Sequence, residues 1–160
     1  MKDEIRCKME IREDESRQSP GRLYGEVITE GERSSDRAEV FERGALKWDG
    51  GIILNRQHKR DSPIMRVTPE RRGSKIVIDQ PLPNTQAGRD AAEEIRSGLF
   101  KGLSVEFRAV KQAYESGVRM IREAVLGGVG LVDNPSYTST VEVREKAEAD
   151  EYMRKALSWL

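Results

Sequence analysis

Two side chains stand out as able to do acid–base or nucleophilic chemistry. The chain has a single histidine, His58. It sits in the polar stretch LNRQHKRDSP, directly after the short apolar run Ile52–Leu54. A histidine at the end of a buried strand is held on rigid scaffold yet can reach a cleft, as a general base must. The plain alternative is a histidine of a surface loop. The second side chain is Ser104, in GLFKGLSVEFR. Leu103, Val105 and Phe107 alternate, which turns them to one face of a strand and puts Ser104 and Glu106 on the other. A serine is a weak nucleophile unless a base within hydrogen-bond reach takes its proton. Spacing alone makes His58 with Ser104 one pairing among many, because the chain has many other serines.

Composition narrows the remaining chemistry. One cysteine, Cys7, excludes a disulfide within the chain. A zinc site of Cys and His would have to use both and recruit carboxylates, and haem or iron–sulfur ligation has no better donor set. No Gly-rich phosphate loop of the GxGxxG or GxxxxGK[ST] type occurs. The expectation is therefore catalysis by ordinary side chains, with no cofactor and no metal, or a binding role. Twenty-eight basic residues balance 28 acidic ones. That balance argues against a nucleic-acid coat or a membrane-surface protein, and three Phe and two Trp are few for stacking on bases. No apolar stretch approaches the ~18 residues of a membrane span, and residues 1–12 lack the apolar core of a secretory signal. The charged fraction, 35%, exceeds the ~25% of an average domain and implies a surface of mixed sign.

The elements that must position His58 and Ser104 are mostly strands. A chain of 160 residues is one domain with a sizeable core. Ile5, Cys7, Met9 and Ile11 alternate over residues 1–12, a half-buried strand. Strands are also expected at Leu23–Thr29 and Ile52–Leu54. Ile64–Thr68 and Lys75–Asp79 read as a hairpin closed by PERRGS. Thr85 as N-cap and Gly98 as the stop bracket a helix of about three turns carrying Ala87, Ala91, Ala92 and Ile95. Alternation returns over Phe100–Val110, a strand follows over Val118–Leu126, GGVGLV continues extended to Val132, and Thr140–Arg144 is the last strand. The glycines at 102, 127, 128 and 130 are places where backbone can approach a peptide, or where a strand bends or bulges. Residues 146–160 then change character. Ala149, Tyr152, Met153, Ala156, Leu157 and Leu160 follow the spacing of an amphipathic helix.

Six pieces in this order resemble the prohead (procapsid maturation) serine proteases of tailed bacteriophages. They are GRLYGEV at 21–27, FERGAL at 41–46, LNRQH at 54–58, PNTQAGRD at 83–90, SGLFKGLSVEF at 97–107 and GLVDNPSY at 130–137. Together they cover about residues 20–144. The resemblance implies Ser104 as nucleophile and His58 as its general base. It also implies a fold related to the herpesvirus assemblins: mainly β, a small closed or partly closed β-barrel with flanking helices.

The sequence departs from the family pattern in two ways. Arg43 stands where proline is usual in the FERGAL piece. Gly128 stands where the stretch before the last piece often carries an acid. A serine with two histidines, the assemblin arrangement, is ruled out by the single histidine. The group that orients His58 is therefore open among Glu106, Glu123, Asp61 and Asp133, or is a backbone carbonyl or water.

The resulting expectation is a protease domain over 1–145 and a C-terminal helix over 146–160. By resemblance it is a serine endopeptidase that cleaves the capsid protein's scaffolding region and itself, inside the assembling procapsid in the host bacterial cytoplasm. The implied partners are the major capsid protein or its scaffolding region and a second copy in a homodimer, with neither nucleic acid nor membrane. The rival expectation is a non-enzymatic scaffold-binding module of head assembly on the same fold.

Overall fold

The computed structural model describes residues 19–145 together with Lys155, Leu157 and Ser158. In chain order the strands are β1 (Arg22–Thr29), β2 (Glu39–Phe41), β3 (Leu46–Lys47), β4 (Ile52–Arg56), β5 (Lys59–Val67), β6 (Glu70–Arg72) and β7 (Lys75–Pro81). Helix α1 (Gln86–Arg96) follows, then β8 (Gly102–Glu115), β9 (Val118–Val132) and β10 (Thr140–Arg144). One sheet has the order β10-β1-β7-β6. The other is built on β9, which pairs with β8 on one side and with β2, β3 and β4 on the other; β5 extends it beyond β4.

The apolar faces of both sheets share one core. Leu23 and Ile78 from the first sheet and Leu54, Leu103, Ile121 and Leu131 from the second are almost wholly buried. Each such side chain contributes roughly 1.5–3 kcal/mol by leaving water. The sheets meet closely where β1 crosses β8: a Cβ on Gly25 would lie 2.5 Å from Leu103 Cδ1. The mainly β expectation holds, and helix α1 packs alongside. Among the described residues the sheets do not join into a closed cylinder, so the barrel is at most a partly closed one.

Helix α1 begins and ends where its signals lie. The Thr85 hydroxyl accepts from the Gly88 N–H, Ser97 is the C-cap, and Gly98 takes φ 80° just past the end. Gly88, Ala91, Ala92 and Ile95 form its buried stripe. On its partly exposed side Glu94 meets Arg56 at 2.6 Å, which ties the helix to the end of β4.

PERRGS does not join the two strands expected. It forms β6, which pairs with β7 through the two-residue turn Gly73–Ser74, while β5 turns back onto β4. Ile64 and Val67 are buried against the second sheet, and Pro69, which has no N–H to donate, interrupts the ladder after them. The strand expected over residues 1–12 and most of the amphipathic helix over 146–160 lie outside the described residues. Lys155, Leu157 and Ser158 are helical, and Leu157 is exposed.

Candidate active site

The site lies where β8, β9 and β4 run side by side. Cross-strand partners point to the same face of a sheet. On β8 that face carries Ser104, Glu106 and Arg108; opposite them on β9 stand Gly130, Gly128 and Val125. On β4 it carries Asn55 and Ile53, in register with Gly130 and Gly128. The central strand thus offers two glycines where side chains would stand. The result is a trough into which polar groups lean from both neighbouring strands.

His58 reaches the trough from a tight hairpin. The β4–β5 connection is a two-residue turn, Gln57–His58, closed by the pair Arg56 and Lys59. Both turn residues have positive φ, 49° and 60°. A hairpin with this loop length favours such a backbone, usually with Asn-Gly. Side chains adopt it at a cost. The polar stretch around His58 is therefore a strand turn and not an open loop. The Gln57 N–H donates to the Leu131 carbonyl at 2.9 Å, fixing the turn to β9.

Over the trough His58 and Glu106 meet. His58 Nδ1 lies 2.7 Å from Glu106 Oε2. Asn55 Nδ2 donates to both oxygens of the same carboxylate, at 2.9 and 3.2 Å. Asn55 is 3% exposed, so it is a buried polar group with its amide committed to Glu106. The two glycines make the arrangement sterically possible. A Cβ on Gly130 would stand 2.7 Å from the His58 ring, and one on Gly128 would stand 2.5 Å from Glu106 Oε1. Ser104 is the direct cross-strand partner of Gly130, so its Cβ lies beside the place the imidazole fills. Its hydroxyl makes no hydrogen bond among the described residues.

Of the carboxylates considered from sequence, the structure brings Glu106 to His58 and none of the others. Glu123 stands lower on β9, held by Lys111 at 3.3 Å and Lys47 at 3.6 Å. Asp61 and Asp133 are exposed and make no contact with His58. The glycines take separate roles. Gly127 is the extra residue of a bulge, because Glu106 pairs with Gly128 and Phe107 with Leu126. Gly128 and Gly130 clear space for side chains, and Gly102 lies against Pro135.

Sequence reasoning missed Asn55. Its signal was an asparagine ending an apolar run, IILN, at a position the alternation of β4 turns toward the trough. Among the described residues no group of three or more His, Cys, Asp or Glu could hold a metal ion.

This geometry sets a carboxylate against Nδ1 of the imidazole, beside a serine. An acid on Nδ1 fixes the imidazole tautomer and leaves Nε2 with its lone pair free to accept a proton. The comparisons with known proteins bear on it. The model of the caudovirus prohead serine protease family matches residues 26–154. No curated protein and no solved structure gives a significant match.

Proposed function

The chain belongs to the caudovirus prohead serine proteases, with a protease role in phage head maturation, and on that premise we propose that Ser104, His58 and Glu106 are its catalytic set. The observation that carries the proposal is the Glu106–His58 contact, 2.7 Å, standing over the glycine that pairs with Ser104.

In this mechanism a substrate peptide lies along the trough. The Ser104 hydroxyl oxygen attacks the scissile carbonyl carbon, and its proton passes to His58 Nε2. Glu106, accepting from His58 Nδ1–H, stabilises the imidazolium that forms, and Asn55 holds the carboxylate in place. The tetrahedral intermediate collapses as His58 returns the proton to the leaving amine, which gives an acyl-enzyme. Water then attacks the ester carbonyl with His58 as base, releasing the acid product and restoring Ser104. Ser104 and His58 make no hydrogen bond to each other before substrate arrives, a looseness common in free enzymes that tightens in the complex. The proposed substrates are the capsid protein's scaffolding region and the protease itself. A homodimer also belongs to the proposal.

The test is co-expression of the protein with its capsid protein, read by intact mass. Wild type yields cleaved capsid or self-cleaved protease, and Ser104→Ala yields neither, a loss on the order of 10⁶-fold. Unchanged products from Ser104→Ala overturn the assignment. No products from wild type, with capsid binding intact, replaces it with the non-enzymatic module.

A further inference from the structure

Arginines in this protein usually end on carboxylates. Arg22 meets Asp79, Arg56 meets Glu94, Arg71 meets Glu30, and Arg119 meets Glu39. The side chains of Arg60 and Arg108 have no ion pair or hydrogen bond among the described residues. They share another property: both line a cleft of about 520 Å³ that begins at Glu106 and Asn55 and runs down the same face, over Gly127. All four described arginines without such a partner, Arg33, Arg43, Arg60 and Arg108, are exposed, but Arg33 and Arg43 do not line the cleft.

Both cleft arginines are placed by the ladder. The Gly127 bulge leaves β8 alternating undisturbed, so Arg108 follows Ser104 and Glu106 on the catalytic face, opposite Val125. Arg60 comes from an irregularity in β5, where residues 60–62 are extra between the pairs Asn55–Pro63 and Arg56–Lys59. Bulges beside active sites commonly re-aim a side chain in this way. Ile53 and Val125, 36% and 39% exposed, and Phe107 give the cleft an apolar wall. Glu106 cannot neutralise the arginines by contact, because its carboxylate is taken by His58 and Asn55.

Two unpaired guanidinium groups facing one cleft are complementary to a carboxylate, which they bind through charge-assisted hydrogen bonds. Resting on the proposed mechanism, we infer that this cleft is a substrate subsite that selects an acidic side chain, Asp or Glu, from a peptide extended along β8. Arg108 lies four residues from Ser104, about 13 Å along a strand. Allowing for the reach of an arginine, the selected residue stands two to four positions from the scissile bond. The residue beside it packs on Ile53 and Val125.

The experiment profiles cleavage of a proteome-derived peptide library by mass spectrometry. It uses wild type, Ser104→Ala, the double charge reversal Arg60→Glu/Arg108→Glu, and Arg33→Gln as an arginine control outside the cleft. Expected is Ser104-dependent cleavage with Asp and Glu enriched at one position in that range. The charge reversal shifts that position toward Lys and Arg by roughly tenfold or more, and Arg33→Gln leaves it unchanged. If the reversed variant melts without cooperativity, Arg60→Gln and Arg108→Gln singly must each weaken the acidic preference. Ser104-dependent cleavage with no acidic enrichment, or with enrichment unmoved by the arginine changes, overturns the subsite and leaves the protease standing. No Ser104-dependent cleavage overturns the proposed mechanism and the subsite with it.

Discussion

The two halves of the β8–β9 ladder solve opposite problems with the same backbone. In the part from Val118 to Ala124 the charges cancel in pairs. Glu123 lies between Lys47 and Lys111, Arg122 between Glu42 and Glu115, and Arg119 against Glu39. Tyr137 adds a hydrogen bond to Glu39 at 2.6 Å; burial, then this bond to a carboxylate, pushes its phenol well above the usual range. In the half from Gly128 to Val132 the strand gives up side chains instead. Its glycines let His58 and Glu106 occupy the space above them, and Ser104 faces that space with its hydroxyl unengaged. A glutamate's role on this ladder is thus set by what stands across and beside it. Glu123 meets ammonium groups, and Glu106 meets an imidazole over bare backbone.

The largest expected effect comes from breaking that difference at Glu106. Glu106→Gln removes the charge that stabilises imidazolium and lets the amide present the wrong partner to Nδ1. The cleavage rate falls on the order of 10³–10⁴-fold with the circular dichroism spectrum unchanged. The rung itself offers a sharper version. Glu106 and Gly128 are cross-strand partners, and the resembling family pattern often carries its acid at the position of Gly128. The Cβ site of Gly128 is 2.5 Å from Glu106 Oε1, about the distance from an aspartate's Cβ to its own carboxylate oxygens. Glu106→Gly with Gly128→Asp therefore recovers part of the activity that Glu106→Gly alone loses. No recovery means that the position of the acid on β8, with Asn55 beneath it, matters as much as its charge.

Next in size is Gly130→Ala. The added methyl would stand 2.7 Å from the imidazole, and the ring is carried on a two-residue turn with little slack. The ring must move away from Ser104. A misplacement of this scale costs about 10²-fold in rate, while the melting temperature falls by only a few degrees. A variant with near-normal turnover would show that His58 does not act from the place it occupies over Gly130.

Much of the fold was legible because local signals agreed with tertiary ones. The helix had a cap, a stripe and a stop, and β8 opened on the alternating apolar residues Leu103, Val105 and Phe107. PERRGS failed because a hairpin signal specifies a turn but not which preceding strand the turn serves, and β6 was too short to announce itself. At the site, alternation alone put Ser104 and Glu106 on one face. It could not say which carboxylate reaches His58, because that depends on β4 lying parallel to β9 with Asn55 in register with Gly130, a pairing between segments some 75 residues apart in sequence. Gly128, which reads as a missing acid along the chain, becomes clearance for the acid of the neighbouring strand once the ladder is formed.

The smallest expected effect is at the other glutamate. Hydrogen bonding to Lys111, then the charge of Lys47, holds the Glu123 carboxyl below its usual range. Exposed pairs of this kind add little to stability at neutral pH. Glu123→Gln should therefore leave cleavage unchanged and lower the melting temperature at pH 7 by about 2 °C or less. The pH dependence follows from the sign of the shift. A carboxyl whose folded pKa is depressed contributes its full stabilisation above the unfolded value, 4.5, and loses it as pH falls through the lower folded value. The wild-type and Glu123→Gln melting curves should accordingly converge as pH falls below that range, with no change in the pH profile of cleavage. A large loss of activity in Glu123→Gln, with the melting temperature preserved, would make the lower half of the ladder part of the catalytic apparatus and erase the division between the two halves.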